Sequence, residues 1–195
     1  MTHSKSFAVL ILILGISTLV QAGSVSGTVS GAGKGTAVVY LESATAKPAA
    51  PPSAHVVIDQ KSLQFQPHVV VVTVGTTVDF QNSDNVAHNV FWPSVGGNKS
   101  FAHNLGTWPQ GEKKSFKFEH AGAVALLCNV HPDMSGYVVV TPTPMAAKTA
   151  SGGDYKISDV PDGAYTLTVW REGAKAQSKK ITVGTDTKTD LTLTK

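Results

Sequence analysis

The chain has 195 residues, of which 42% are hydrophobic and 15% charged, and it carries a formal net charge of +3. That length can bury one sizeable core or two small ones. The positive excess is weak and its lysines are scattered rather than clustered, which excludes a basic nucleic-acid-binding surface.

The first element is a targeting segment. Met1, Lys5, the apolar run Phe7–Val20 and the small-residue ending Val20-Gln21-Ala22 read as a secretory signal peptide over residues 1–22. The run is 14 residues long, short of the roughly 20 that a bilayer span needs. No later segment is apolar for long enough to cross. The expectation is an exported chain beginning at Gly23, periplasmic or secreted, with no stable membrane span after cleavage.

Beyond the signal, short β-branched runs alternate with Gly and Pro. Gly23–Leu41 reads as two strands around a glycine-rich turn. Val69–Val74, Thr76–Phe80, Tyr137–Val140 and Tyr165–Trp170 read as further strands, punctuated by Gly75, Gly111, Gly122 and Pro161-Asp162-Gly163. No long amphipathic helix is evident, so the fold class is all-β. Two Ala/Pro/Ser/Thr-rich seams, Ser43–Ser53 and Thr141–Gly153, read as linkers with little to bury. They bracket a central block, 54–140. The flanks, 23–43 and 153–195, are each too small to close a core and are expected to join into one small sandwich. In the second flank Tyr165, Leu167 and Val169 share a face opposite Thr166 and Thr168.

The chain has a single cysteine, Cys128. An exported protein usually pairs its cysteines, and an exposed lone thiol there would oxidise, so Cys128 is either buried and inert or bound to something. Its context favours binding. Cys128-Asn129-Val130-His131-Pro132-Asp133-Met134 places thiolate, imidazole and thioether within seven residues, directly after the apolar run Ala123–Leu127. A strand ending at Cys128 and followed by a short loop turns all three donors toward one point. His88, 40 positions earlier, follows the polar stretch Gln81-Asn82-Ser83-Asp84. It completes a His₂Cys plane with Met as a weak fourth ligand, and His103 is its only rival. His55, His68 and His120 flank strands or turns and are expected to be solvated. Two imidazoles and one thiolate with a long axial thioether suit copper in both of its oxidation states. Structural zinc sites use more cysteines, and Met is a poor zinc ligand.

With these residues in view, 54–140 resembles the cupredoxins, small blue copper proteins, and within them the amicyanins more than the plastocyanins or pseudoazurins. The landmarks are Phe65-Gln66-Pro67, Val74-Gly75-Thr76-Thr77-Val78, Phe80-Gln81-Asn82-Ser83-Asp84, His88-Asn89-Val90, Gly122, and Cys-x-x-His-x-x-Met-x-Gly ending at Gly136. The resemblance implies a Greek-key sandwich. It implies one copper held equatorially by His88, Cys128 and His131 and axially by Met134, with the Asn89 side chain tying the two ligand loops together. The run Ala123–Leu127 stands where the family often has aromatics. The flanks resemble a carboxypeptidase-regulatory or transthyretin-like β-sandwich, through Gly27-Thr28-Val29, Ala37–Leu41 and Tyr155–Tyr165.

The function this implies is single-electron transfer between exported redox partners. Those partners would dock on an apolar patch around His131, to which Pro132 and Met134 are expected to contribute. Copper delivery or storage would use the same ligands and is the alternative. A multicopper oxidase or nitrite reductase needs further histidines, commonly in His-x-His pairs, and this chain has none, so an enzyme is not expected.

Overall fold

The structure is a computed structural model, and it describes residues 22–43, 50 and 52–195. The expected signal peptide, except for Ala22, and most of the first seam lie outside the described residues. The described chain is built from strands, with one short 3₁₀ turn at Lys99–Phe101 and no α-helix. None of its helical segments is long and apolar enough to cross a membrane.

The central block contains β3 (Val56–Lys61), β4 (Gln64–Gln66), β5 (Val69–Thr73), β6 (Thr77–Asn82), β7 (His88–Trp92), β8 (His103–Trp108), β9 (Lys113–Lys117), β10 (Gly122–Leu127) and β11 (Ser135–Thr141). One sheet runs β4-β3-β6-β9 and the other β5-β11-β10-β7-β8. Between them Ile58, Phe80, Trp92, Trp108, Leu126 and Val138 form a single closed core, which also takes in Cys128 and Met134. The alternation that makes these strands is plain in β10, where Val124 and Leu126 point inward and their neighbours are only partly covered.

The flanks contribute β1 (Ala22–Gly31), β2 (Lys34–Glu42), β12 (Ala146–Lys148), β13 (Asp154–Pro161), β14 (Gly163–Glu172), β15 (Gln177–Val183), β16 (Thr187–Lys188) and β17 (Leu191–Leu193). The N-terminal β1 pairs with β13, β16 and β17, while β2 pairs with β12 and β14. Val25, Val39, Leu41, Ile157, Leu167 and Val169 close a second core between these two sheets. Neither flank holds a complete sheet pair, so this core exists only because residues from both ends of the chain meet.

One reading changes, and one arrangement is new. The seam 141–153 is not an unstructured linker. Residues 146–148 form β12 on the edge of the β2 sheet, seven residues ahead of the expected flank at 153. Thr141 donates its hydroxyl to the carbonyls of Val72 (3.2 Å) and Thr143 (2.8 Å), and Thr143 donates to that of Leu41 (2.6 Å). An edge strand needs only backbone bonds, and small Ala side chains give no periodic signal to announce one.

The new arrangement concerns how the sandwiches meet. In β2, Val39 and Leu41 enter the flanking core, while Val38 packs with Tyr40 and Trp170 against Val69, Val71, Tyr137 and Val139 of the central block. The uninterrupted runs Ala37–Leu41 and Tyr137–Val140 therefore belong to strands covered on both faces. Each sandwich packs a sheet face onto the other.

Candidate metal centre

The site forms where β7 begins and β10 ends. These strands are antiparallel with Phe91 opposite Leu127, so His88 and Cys128 emerge side by side at the same edge of the core. The Asn89 N–H donates to the Cys128 sulfur (3.4 Å) and the Asn89 Oδ1 accepts from the Asn129 N–H (3.3 Å). The same side chain donates through Nδ2 to Asn104 Oδ1 and to the Gly106 carbonyl, both at 2.8 Å. Asn89 thus ties the two ligand loops, and β8 as well, with every polar atom of its amide used.

Past Cys128 the loop folds back tightly, with the Met134 N–H donating to the His131 carbonyl (3.0 Å). This turn brings His131 over His88, their rings in an edge-to-face arrangement with centroids 4.7 Å apart. The two Nδ1 atoms lie 3.0 Å apart, and the ligand atoms of His88, Cys128 and His131 all fall within 4.8 Å of one another. His88 is fully buried and Cys128 nearly so, while His131 is partly exposed. Met134 is buried in the same core as Cys128. No other grouping of three metal-ligating side chains occurs among the described residues.

The donor set fits copper. Imidazole lone pairs this close, in so dry a place, repel unless a proton or cation lies between them. Two imidazoles, a thiolate and a neighbouring thioether form a soft, largely nitrogen–sulfur set that suits copper and lacks the extra thiolates of structural zinc.

His103 is not part of the cluster. It sits on β8 opposite Trp92, its ring 5.4 Å from Trp92 and 4.7 Å from Phe116. Of the remaining histidines, half-exposed His55 pairs with Asp79 and half-exposed His68 with Glu172, at 2.8 and 2.7 Å. His120 stacks on Phe101 at 3.6 Å. Met134 is 1% exposed, so it adds nothing to a surface patch. Val130 is exposed in the Cys128–His131 loop itself, and Leu63 and Val86 are exposed in the turn and loop that flank Asp84.

One residue of this end enters the sequence reading only as part of a polar loop. The Asp84 Oδ2 lies 2.9 Å from the Nε2 of His88, and the carboxylate also accepts from the N–H groups of Ser62 (2.6 Å) and Leu63 (2.9 Å). Burial pushes its carboxyl up, but the hydrogen bonds from Leu63, His88 and Ser62, with the charge His88 carries when protonated, outweigh burial and leave the pKa lowered. The spacing Asp84-x-x-x-His88 alone does not set it apart from a solvated carboxylate, because the turn that fixes it lies 21–22 residues away.

Residues 52–141 match the family model described as copper binding proteins, plastocyanin/azurin family, and residues 135–194 match the carboxypeptidase regulatory-like domain. A comparison with curated proteins finds no match. Similar solved structures include the Cu(I) form of an amicyanin point mutant, at 25% identity over 52% of this chain and 99% of that one, TM-score 0.42. A purple cupredoxin from Nitrosopumilus maritimus aligns at 26% identity over 44% of this chain and 99% of its own, TM-score 0.39. A Cu-containing nitrite reductase from Thermus scotoductus SA-01 aligns at 25% identity over 49% of this chain, TM-score 0.42, and this chain spans only 25% of that enzyme. The two family-model matches thus place a copper-binding sequence of the plastocyanin/azurin type within residues 52–141 and a carboxypeptidase regulatory-like sequence within residues 135–194.

Proposed function

We propose that this protein is an exported carrier of single electrons, and that His88, Cys128, His131 and Met134 would hold a type 1 copper. The observation that carries the reading is the convergence of three ligand atoms within 4.8 Å at a buried strand edge. When bound, copper supplies the one-electron couple. The chain's residues keep water out, hold both imidazoles in place and present His131 toward solvent. Rigid ligands suit electron transfer because neither oxidation state requires them to rearrange. A set of four protein donors leaves no position open for a substrate, which favours a carrier over an enzyme.

Docking of an exported redox partner is assigned to the surface around His131. Its support is that, of the four large hydrophobics exposed among the described residues, three, Leu63, Val86 and Val130, lie in loops at this end, the fourth being Val57. A small apolar surface suits brief contacts. The signal peptide supports a periplasmic location. In the organisation we infer, the copper sandwich 54–140 is inserted into a scaffold made from 23–43 and 153–195.

The test is to load residues 23–195 with Cu(II) and record visible and paramagnetic-resonance spectra. An intense thiolate-to-copper charge-transfer band, abolished in Cys128→Ser, is expected. A colourless Cu(II) protein would overturn the assignment, and rapid surrender of the metal to a chelating acceptor would favour delivery over electron transfer.

A further inference from the structure

We propose that Asp84 is a positioning residue of the copper centre. Its carboxylate, pinned by the Ser62 and Leu63 amides, holds His88 in the tautomer whose Nδ1 lone pair faces His131, and its negative charge favours Cu(II) over Cu(I). The inference rests on the copper assignment above and extends it to a residue that contributes no ligand atom.

A neutral imidazole carries one proton, and the partner of one nitrogen decides which form exists. His88 has no contact with solvent to arbitrate. A carboxylate can only accept, so Nε2 at 2.9 Å from Asp84 Oδ2 carries the proton and Nδ1 is left bare. Nδ1 is the nitrogen 3.0 Å from the Nδ1 of His131. Asp84 therefore selects the donor atom as well as the ring orientation.

The carboxylate is itself held from a distant part of the chain. Ser62 and Leu63 form the β3–β4 turn with φ of +57° and +56°. Two successive non-glycine residues in the left-handed region cost free energy, which is offset where both amides donate to a charged acceptor. Asp84 Oδ1 takes the Ser62 N–H, and Oδ2 takes both the Leu63 N–H and the His88 proton. The Asp84 N–H in turn donates to Asn82 Oδ1 at 2.9 Å. The carboxylate cannot rotate away from His88 without breaking the turn.

A carboxylate on the far nitrogen makes an imidazole a stronger donor. Stronger donation stabilises the doubly charged ion more than the singly charged one, so the couple shifts toward the oxidised state. Asp84→Asn keeps an oxygen for Leu63 and His88 but removes the charge and the bond to Ser62. The expected result is about a tenfold shift in preference toward Cu(I), a rise of about 59 mV in potential for one electron, with the charge-transfer band retained. Asp84→Glu, which restores the charge, should bring the potential back toward that of the parent. An unchanged potential in a folded, copper-loaded Asp84→Asn protein overturns the proposal. Should that variant not fold, ¹⁵N chemical shifts of the parent chain without metal decide the matter: protonated Nε2 on His88 supports the role of Asp84, and protonated Nδ1 overturns it. A parent chain that takes up no copper would sink the function proposed above, while the tautomer measurement still reads the hold of Asp84 on His88.

Discussion

The central sandwich buries Gln60, Asp79, Asn82, His88 and Asn89, whereas in and between the flanking strands the buried polar side chains are hydroxyls, those of Ser24, Thr149, Thr168 and Thr189. The difference lies in what those groups bond to. In the central block a single side chain gathers several partners from different strands and loops: Asp79 meets His55, Lys113 and Ser115, and Asn89 meets Asn104, Gly106 and Asn129. In the flanking sandwich the buried hydroxyls of Ser24 and Thr168 each meet one side chain, Asp186 and Ser178, and others bond the backbone. The Tyr155 hydroxyl donates to the Thr189 carbonyl (2.6 Å) and that of Tyr165 to the Pro161 carbonyl (2.8 Å). Burial, with Asp190 nearby, pushes the Tyr155 phenol up to about 12, so it stays a neutral donor. Two sandwiches of similar make thus serve different ends. Buried polar groups with several partners hold a constellation in place, and those with one partner only tie neighbouring segments.

This contrast can be broken most forcefully by cutting into the flanking core. Leu167 is fully buried there, and Leu167→Ala should cost about 3 kcal/mol by lost transfer and cavity formation, measured by urea unfolding. The visible spectrum of the molecules that remain folded should not change. A shifted copper band would mean that the flanking core helps shape the site, and the division of labour would fail.

A smaller effect sharpens the polar side of the comparison. The Asp79 carboxyl is lowered from its ordinary 3.8 to about 2, first by the Lys113 ammonium and the Ser115 hydroxyl, with His55 adding to them against burial. Because the folded group titrates below the unfolded one, its contribution is complete above about pH 4 and disappears as pH falls through about 2. Asp79→Asn should therefore cost about 1–2 kcal/mol near neutral pH, allowing for the exposed Lys113 and His55 partners. The gap from the parent should close under acid, as read by unfolding midpoints across a pH series. A gap independent of pH would locate the effect in packing.

The smallest effect concerns the junction. Glu172 meets His68 at 2.7 Å and Tyr137 at 3.5 Å across the two sandwiches, with His68 half exposed. Such a pair is worth little, so Glu172→Gln should change stability by less than about 0.5 kcal/mol, measured by thermal unfolding. A larger loss would mean that charge, rather than the Val38, Val69 and Val139 contact, holds the sandwiches together.

The legible part of the site was its local part. Cys128, His131 and Met134 lie within one turn of chain, so their convergence follows from a strand end and a short loop. His88 was reachable because a polar stretch before a strand marks a second loop at an edge. Asp84 was not, because a carboxylate in a polar loop looks solvated until the turn at Ser62 and Leu63 is brought against it. The face shared by the sandwiches was hidden for a related reason. A run such as Ala37–Leu41 looks the same whether one face or both are covered.

From its residues alone the chain determined an all-β class and a Cys and His loop whose donors suit copper, because these follow from periodicity and from ligand chemistry. Tertiary structure alone decided that β1 and β2 close a core with strands more than a hundred residues away, that part of the second seam is a strand, and that a carboxylate stands behind the first histidine. Those are matters of which distant segments meet, and no local pattern encodes the meeting. Backbone amides and sheet faces are generic until packing pairs them.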